Sequence, residues 1–211
     1  MSYGYVGDTS TSIKQQVKNA GVLSVSDVLD LKGKGQLGGS LELIAEETFS
    51  SVVEVDFTGL PTDKYDVIVA HAQNIEHTSA NKFTFAQFYE SGVLESAAVY
   101  HYAHEYGQAN GTFAELKSTA NNYIYLTWTN HGTVAGDTNG FYTYFYNLGD
   151  SSKYSYATLH DVIQDNNLFK MSFGGGVLPQ ASTVDGIRFG FNTASTDGTI
   201  KLYGVKNLWV L

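Results

Sequence analysis

From residue 41 onward the chain alternates apolar and polar positions with a period of two. In the stretch 51–57, Val53, Val55 and Phe57 alternate with Glu54 and Asp56. In 140–146, Phe141 and Phe145 oppose Tyr142, Tyr144 and Tyr146, and in 199–203, Ile200 and Leu202 oppose Lys201 and Tyr203. Successive strand side chains point to opposite faces, so this period marks strands with one buried side. The same reading places strands at 65–72, 82–89, 97–106, 122–129, 153–159, 168–173 and 186–191, about ten in all, with turns between them. The pattern predicts an all-β fold, an antiparallel β-sandwich of jelly-roll-like form, with an up-and-down barrel as the alternative. No helical pattern is long enough for a parallel α/β sheet.

The first forty residues read differently. Ile13, Val17 and Ala20 fall on one helical face, and Gly21 ends the pattern. Ser24 and Asp27 have capping-box spacing ahead of a short turn carrying Val28, Leu29 and Leu31. The Gly- and Lys-rich stretch 32–39 is a connector. Each helical piece is too short to stand alone in water. Residues 1–40 are therefore expected to form a short, partly helical N-terminal arm, and 41–211 the sandwich domain. The arm either lies on its own sandwich or docks on a partner through Tyr3, Tyr5, Ile13, Val17, Val28, Leu29 and Leu31. The lower charge and the Gly-rich joint favour docking.

Composition narrows the classes. With 211 residues the chain can bury one core. Its 22 Gly, 15 Tyr and 12 Phe suit strands and turns. It has no Cys, so neither disulfides nor thiolate metal sites enter. The net charge is −9, and residues 1–40 hold four lysines against three acids, so the acidity lies in the body. An acidic body without a basic stripe argues against nucleic acid as a partner. The start lacks the basic and apolar run of a signal peptide, and no stretch has the length of a membrane helix, so synthesis in a cytoplasm without membrane insertion is expected.

Catalytic and metal patterns are thin, and no catalytic residue, metal ligand or cofactor is assigned. His101 and His104, beside Glu105, are three apart; on a strand that spacing sends the rings to opposite faces. His71 and His77 share a face only if the strand continues past Asn74, where it is expected to end. His131 belongs to a turn and His160 to the end of a strand. There is no G-x-S-x-G elbow and no P-loop. Glu46 and Glu47 are adjacent and point apart, which rules out a glycosidase pair. The three glycines 174–176 read as a loop or bulge. Asn110 heads a formal glycosylation triplet that matters only on a secreted chain. The expectation is a protein that is not an enzyme.

Tyrosine carries the most unusual pattern. Tyr123 with Tyr125, Tyr142 with Tyr144 and Tyr146, and Tyr154 with Tyr156 each share a face, opposite Ile124, Leu126, Trp128, Phe141 and Phe145. Three roles fit: cross-strand ladders that stiffen a sheet, a subunit interface where an apolar ring with a polar tip is favoured, and platforms for stacking sugar rings.

The C-terminal pattern Val184-Asp-Gly-Ile-Arg-Phe-Gly-Phe-Asn192, a turn, and Gly198-Thr-Ile-Lys-Leu-Tyr-Gly-Val-Lys206 resembles the ending of a β-sandwich module of tailed-phage virion proteins. Phe57-Thr-Gly-Leu-Pro-Thr-Asp-Lys-Tyr-Asp-Val-Ile-Val69 looks like the early strand-turn-strand of the same module. Ser2-Tyr-Gly-Tyr-Val-Gly7 with Gly21-Val-Leu-Ser-Val-Ser-Asp-Val-Leu-Asp-Leu31 is similar to the starts of marine-phage structural proteins. Residues 90–180 carry no such match. The resemblance implies a non-enzymatic virion component made in the host cytoplasm: a surface-exposed capsid decoration or fibre subunit held through its arm. Its implied partners are other capsid or tail proteins and copies of itself, a trimer being favoured. The alternative is a tail-fibre or adhesin module that binds a host glycan.

Overall fold

The structure, a computed structural model, describes residues 41–128, 133, 136–165 and 167–205, with Ser26, Val28 and Leu29 ahead of them. Those three have helical backbone, Val28 half-buried and Leu29 exposed. Tyr3, Tyr5, Ile13, Val17 and Leu31 lie outside the described residues, as does the helical stretch expected at 12–20. The chain divides into two units, Met1–Leu41 and Glu42–Leu211.

The second unit is all-β, as the alternation predicts. Its strands are β1 (Leu41–Val52), β2 (Glu54–Thr58), β3 (Val67–His77), β4 (Phe85–Glu90), β5 (Val93–Leu94), β6 (Tyr100–Gln108), β7 (Phe113–Asn121), β8 (Ile124–Tyr125), β9 (Asn139–Tyr146), β10 (Ser155–Asp165), β11 (Leu168–Leu178), β12 (Val184–Gly190) and β13 (Thr196–Val205). They form two sheets. The larger runs β1-β13-β3-β9-β10-β11-β6-β7, and the smaller β2-β12-β4-β5, with β8 also paired to β4. In both sheets an early strand sits beside a late one, β1 beside β13 and β2 beside β12. The orders β1-β13-β3-β9 and β2-β12-β4-β5 are those of a jelly roll, a long ribbon folded over on itself. Beyond β9 the larger sheet continues for four strands, β10, β11, β6 and β7, all from residues 100–178.

Between the sheets lies one aromatic and aliphatic core. Phe88, Phe145, Phe189, Ile187, Ile200 and Leu202 are fully buried. The Phe189 ring meets Phe57 edge-on at 5.8 Å and Phe145 at 6.3 Å, and Phe145 meets Phe88 at 5.7 Å. On the outer side of the smaller sheet, Arg188 binds Asp56 with two hydrogen bonds of 2.7 Å and approaches Glu54 at 3.0 Å, which fixes the β2–β12 register. Ser91 and Gly92 both have positive φ, as a two-residue hairpin between β4 and β5 requires.

Several expectations need correction. The stretch 51–57 is not one strand. The chain leaves the larger sheet at Val52, turns at Ser51 (φ 60°) and Val53, and joins the smaller sheet at Glu54; Val53 is thus 51% exposed while Val55 and Phe57 are buried. Within 122–128 the ladder pairing is confined to Ile124–Tyr125, and the amides of Leu126 and Thr127 continue it only as bonds to the Thr84 carbonyl. His160 lies in the middle of β10, not at its end. The strand at 65–72 runs on through Asn74 to His77, because a bulge between Ala72 and Ile75, with Asn74 at φ 53°, absorbs an extra residue. The bulge turns His71 outward and His77 inward. Glycines 174–176 are not a loop but the interior of β11, where the backbones of β6 and β10 approach too closely for a side chain. β7 was not foreseen: it is an edge strand, mostly exposed on both faces, with no apolar alternation to betray it.

Candidate functional site

The outer face of the larger sheet is where the tyrosine pattern becomes a surface. Alternation along β9 buries Phe141, Thr143 and Phe145 and turns Tyr142, Tyr144 and Tyr146 out. Register extends the pattern sideways. Tyr144 faces Val69 of β3 and Thr158 of β10, and Tyr146 faces Val67 and Tyr156. Tyr203 of β13 sits opposite Val69, and Phe173 of β11 opposite His160. Tyr142, Tyr144, Tyr156 and Phe173 are each more than a third exposed. The rings touch one another: Tyr142 meets Tyr144 edge-on at 5.9 Å, and Tyr144 stacks with Tyr146 at 6.4 Å. Tyr146 Oη and Thr158 Oγ1 share a hydrogen bond of 3.2 Å. The ladder is stiffened from within and its outer side remains open.

The other tyrosines separate from this face. Tyr123 stacks on Phe85 at 4.4 Å, while Tyr125 packs on Phe83 at 4.3 Å and Tyr102 at 5.2 Å. They form an aromatic cluster beside β4. Burial and the hydrogen bond with Tyr123 hold the Tyr125 hydroxyl above the usual tyrosine range. Tyr154 precedes β10, exposed, and its carbonyl accepts from Asn147 Nδ2 at 3.3 Å. The seven tyrosines are thus an outward ladder (Tyr142, Tyr144, Tyr146, Tyr156), a cluster (Tyr123, Tyr125) and one loop residue.

A second feature of the outer face was not legible in the sequence. A groove of about 510 Å³ opens where β3 bulges away from β9. Gly140, directly opposite Val162, contributes no side chain to the outer row and leaves the floor low. Gln73, Asn74, Tyr142, His160 and Phe169 rise around it. His160 and Tyr142 are tied by a hydrogen bond of 3.2 Å between Nδ1 and the phenol oxygen and by edge-on rings at 5.5 Å. They divide the groove from a shallower furrow lined by Tyr144, Tyr146 and Phe173.

Beneath this face, inside the extension, lies a buried polar layer. Asp161 on β10 accepts from Ser172 Oγ and, at 3.3 Å, from the amide of Trp128, whose ring stacks on Tyr106 at 3.6 Å. Burial pushes its carboxyl up to about 7. His101 and His104 point to opposite faces, as expected; His104 is buried, with no hydrogen-bond partner at either ring nitrogen. Burial lowers His104 to about 4, and burial with the Lys82 charge lowers His77 to about 4. No group of three metal-ligating side chains occurs among the described residues.

These three groups set a pH profile. Between pH 5 and 6.5 the unfolded chain protonates both histidines and the folded chain neither. Over the same window the folded chain alone keeps the Asp161 proton. The unfolded state then holds one net extra proton, so stability rises with pH by about 1.4 kcal/mol per unit at most. Above pH 6.5 the protons still leaving the unfolded histidines and the folded Asp161 nearly cancel, so stability levels off toward pH 7. Urea midpoints are expected to rise from pH 5 and level off near pH 7, and His104→Leu is expected to flatten the rise by leaving His77 and Asp161 in balance. A wild-type midpoint constant from pH 5 to 6.5 would contradict this. Compared with family models, with curated proteins and with solved structures, the chain matches none.

Proposed function

We propose that this chain is a non-enzymatic structural subunit of a tailed-phage particle, a surface-exposed decoration or fibre component. In this reading residues 1–40 hold it to other virion proteins, and the sandwich packs against copies of itself, as a trimer, through the tyrosine ladder. The observation that carries the contact role is the open face of Tyr144, Tyr146, Tyr156 and Tyr203. Monomers seldom leave a contiguous aromatic sheet face in water, and tyrosine is enriched in the centres of interfaces. The virion itself is inferred from the resemblance of the first and last segments.

Incorporation into particles is the test. A chain lacking residues 2–40 is expected to fold, by circular dichroism and a cooperative melt, yet to be missing from purified particles. Tyr144→Glu is expected to fold equally well and to have the mass of one chain where the wild type has that of three. Normal incorporation of the shortened chain, or an unchanged mass for Tyr144→Glu, would overturn the corresponding half of the proposal.

A further inference from the structure

The groove at the β3 bulge has a chemistry distinct from the ladder beside it. Its walls offer two exposed aromatic faces, Tyr142 and Phe169, 44% and 46% accessible. On the neighbouring β3, beyond Tyr142, stand the carboxamides of Gln73 and Asn74, both exposed. The imidazoles of His71 and His160 complete the rim. The single carboxylate bordering the groove, Asp161, is 1% exposed and turns inward to Ser172 and Trp128. Among the described residues the groove therefore presents rings and amides but no exposed carboxylate, lysine or arginine.

Each excluded ligand class follows from that inventory. A metal ion finds no group of three ligating side chains among the described residues, and an organic cation finds no aromatic cage, since Tyr142 and Phe169 stand two strands apart on β9 and β11. An anion would meet no Lys or Arg among the described lining residues and a chain whose net charge is −9. A wholly apolar ligand would strip water from two amides and two imidazoles without replacing their hydrogen bonds. What remains is a neutral ligand with an apolar face and a polar edge. A pyranose ring is such a molecule: its axial C–H groups stack on an aromatic ring, and its hydroxyls donate to and accept from carboxamides at the same time. The volume of about 510 Å³ falls in the usual range of about 300–1,000 Å³ for small-molecule sites. The open form suits a segment of a longer saccharide rather than an engulfed monomer.

We infer that this groove is a binding site for a neutral oligosaccharide, with Phe169 and Tyr142 as stacking platforms and Gln73 and Asn74 as hydroxyl partners. Two local features build it. The bulge carries Gln73 and Asn74 out of the regular ladder, and Gly140 clears the floor. The floor of the site, Gly140, lies six residues along β9 from Tyr146, about 20 Å at strand spacing, and its nearer wall, Tyr142, lies four, about 13 Å. It can thus be filled while the Tyr146–Tyr156 end is covered, and it does not depend on the assembly reading.

The test uses the full-length protein on an array of neutral hexose and N-acetylhexosamine oligosaccharides, with sialylated and sulfated ones as comparators. Neutral glycans are expected to bind. Phe169→Ala and Gln73→Ala, both at exposed positions, are each expected to weaken that binding about tenfold, and Tyr156→Ala to leave it unchanged. Both groove variants are expected to enter particles normally, so their loss of binding and any failure of assembly are read separately. Absence of binding by the folded wild type, binding confined to charged glycans, or equal binding by the Phe169→Ala, Gln73→Ala double variant would each overturn the inference.

Discussion

Phe189→Ala is expected to destabilise the sandwich by about 3–5 kcal/mol, the usual range for a buried phenylalanine truncated in a core. The ring is fully buried on β12, in the smaller sheet, yet its neighbours come from both layers. It meets Phe57 edge-on on its own side and Phe141 and Phe145 of β9 on the other. Removing it leaves a cavity walled by three rings whose backbones are fixed in strand ladders, so collapse around the hole is limited. It also removes aromatic contacts worth about 0.5–1.5 kcal/mol each beyond area burial. In a chain of this size the loss corresponds to a drop in Tm of about 10 °C. Urea unfolding of this variant beside Tyr156→Ala, an exposed ladder residue, separates core from surface. A Phe189→Ala cost below about 1.5 kcal/mol would mean that the two sheets do not meet where the ring contacts place them.

Gly174→Val should be comparably damaging for a different reason. A Cβ at residue 174 would stand 2.3 Å from the carbonyl oxygen of Ala103 and 2.7 Å from the Cα of His104. Both atoms are backbone of β6, held in register with β11 by Gly174↔His104 and its neighbours. No side-chain rotation relieves such a contact, so β6 must move away from β11 and carry the edge strand β7 with it. Overpacking of a rigid site costs about 1–3 kcal/mol, and here ladder hydrogen bonds are lost as well. The expected signature is local: amide exchange in 100–121 and 168–178 rises sharply, while β12 and β13 stay protected. If the variant is as stable and as protected as the wild type, the three glycines are not the close approach that lets the larger sheet extend past β9.

How much of this was written in the sequence depends on burial. β9 and β13 bury one face and leave the other at least partly exposed, so alternation revealed both the strand and its orientation; Ile200 and Leu202 are in the core as their spacing indicates. Where one-sided burial fails, the signal fails. β7 lies at an edge with Glu115 and Lys117 in water and only Leu116 half-buried among its apolar residues. The short β8 carries Tyr125, with Tyr123 just ahead of it, into the aromatic cluster because it pairs with β4, a pairing that no local pattern encodes. The outward tyrosines of β9 were legible, but their grouping with Tyr156, Tyr203 and Phe173 required the register across five strands. The groove was invisible for the same reason. It is made by one extra residue in β3 and one missing side chain in β9, and each means little until the strands lie side by side.

The account rests on the outer face of the larger sheet being the surface through which this chain makes contact. A cryo-EM reconstruction of the intact particle tests that most directly. We expect three copies of the sandwich to meet at Tyr144, Tyr146 and Tyr156, with residues 1–40 running into the particle and the bulge of β3 open to solvent. A particle that contains the chain but leaves the tyrosine ladder exposed on every copy, or one that lacks the chain altogether, would contradict it.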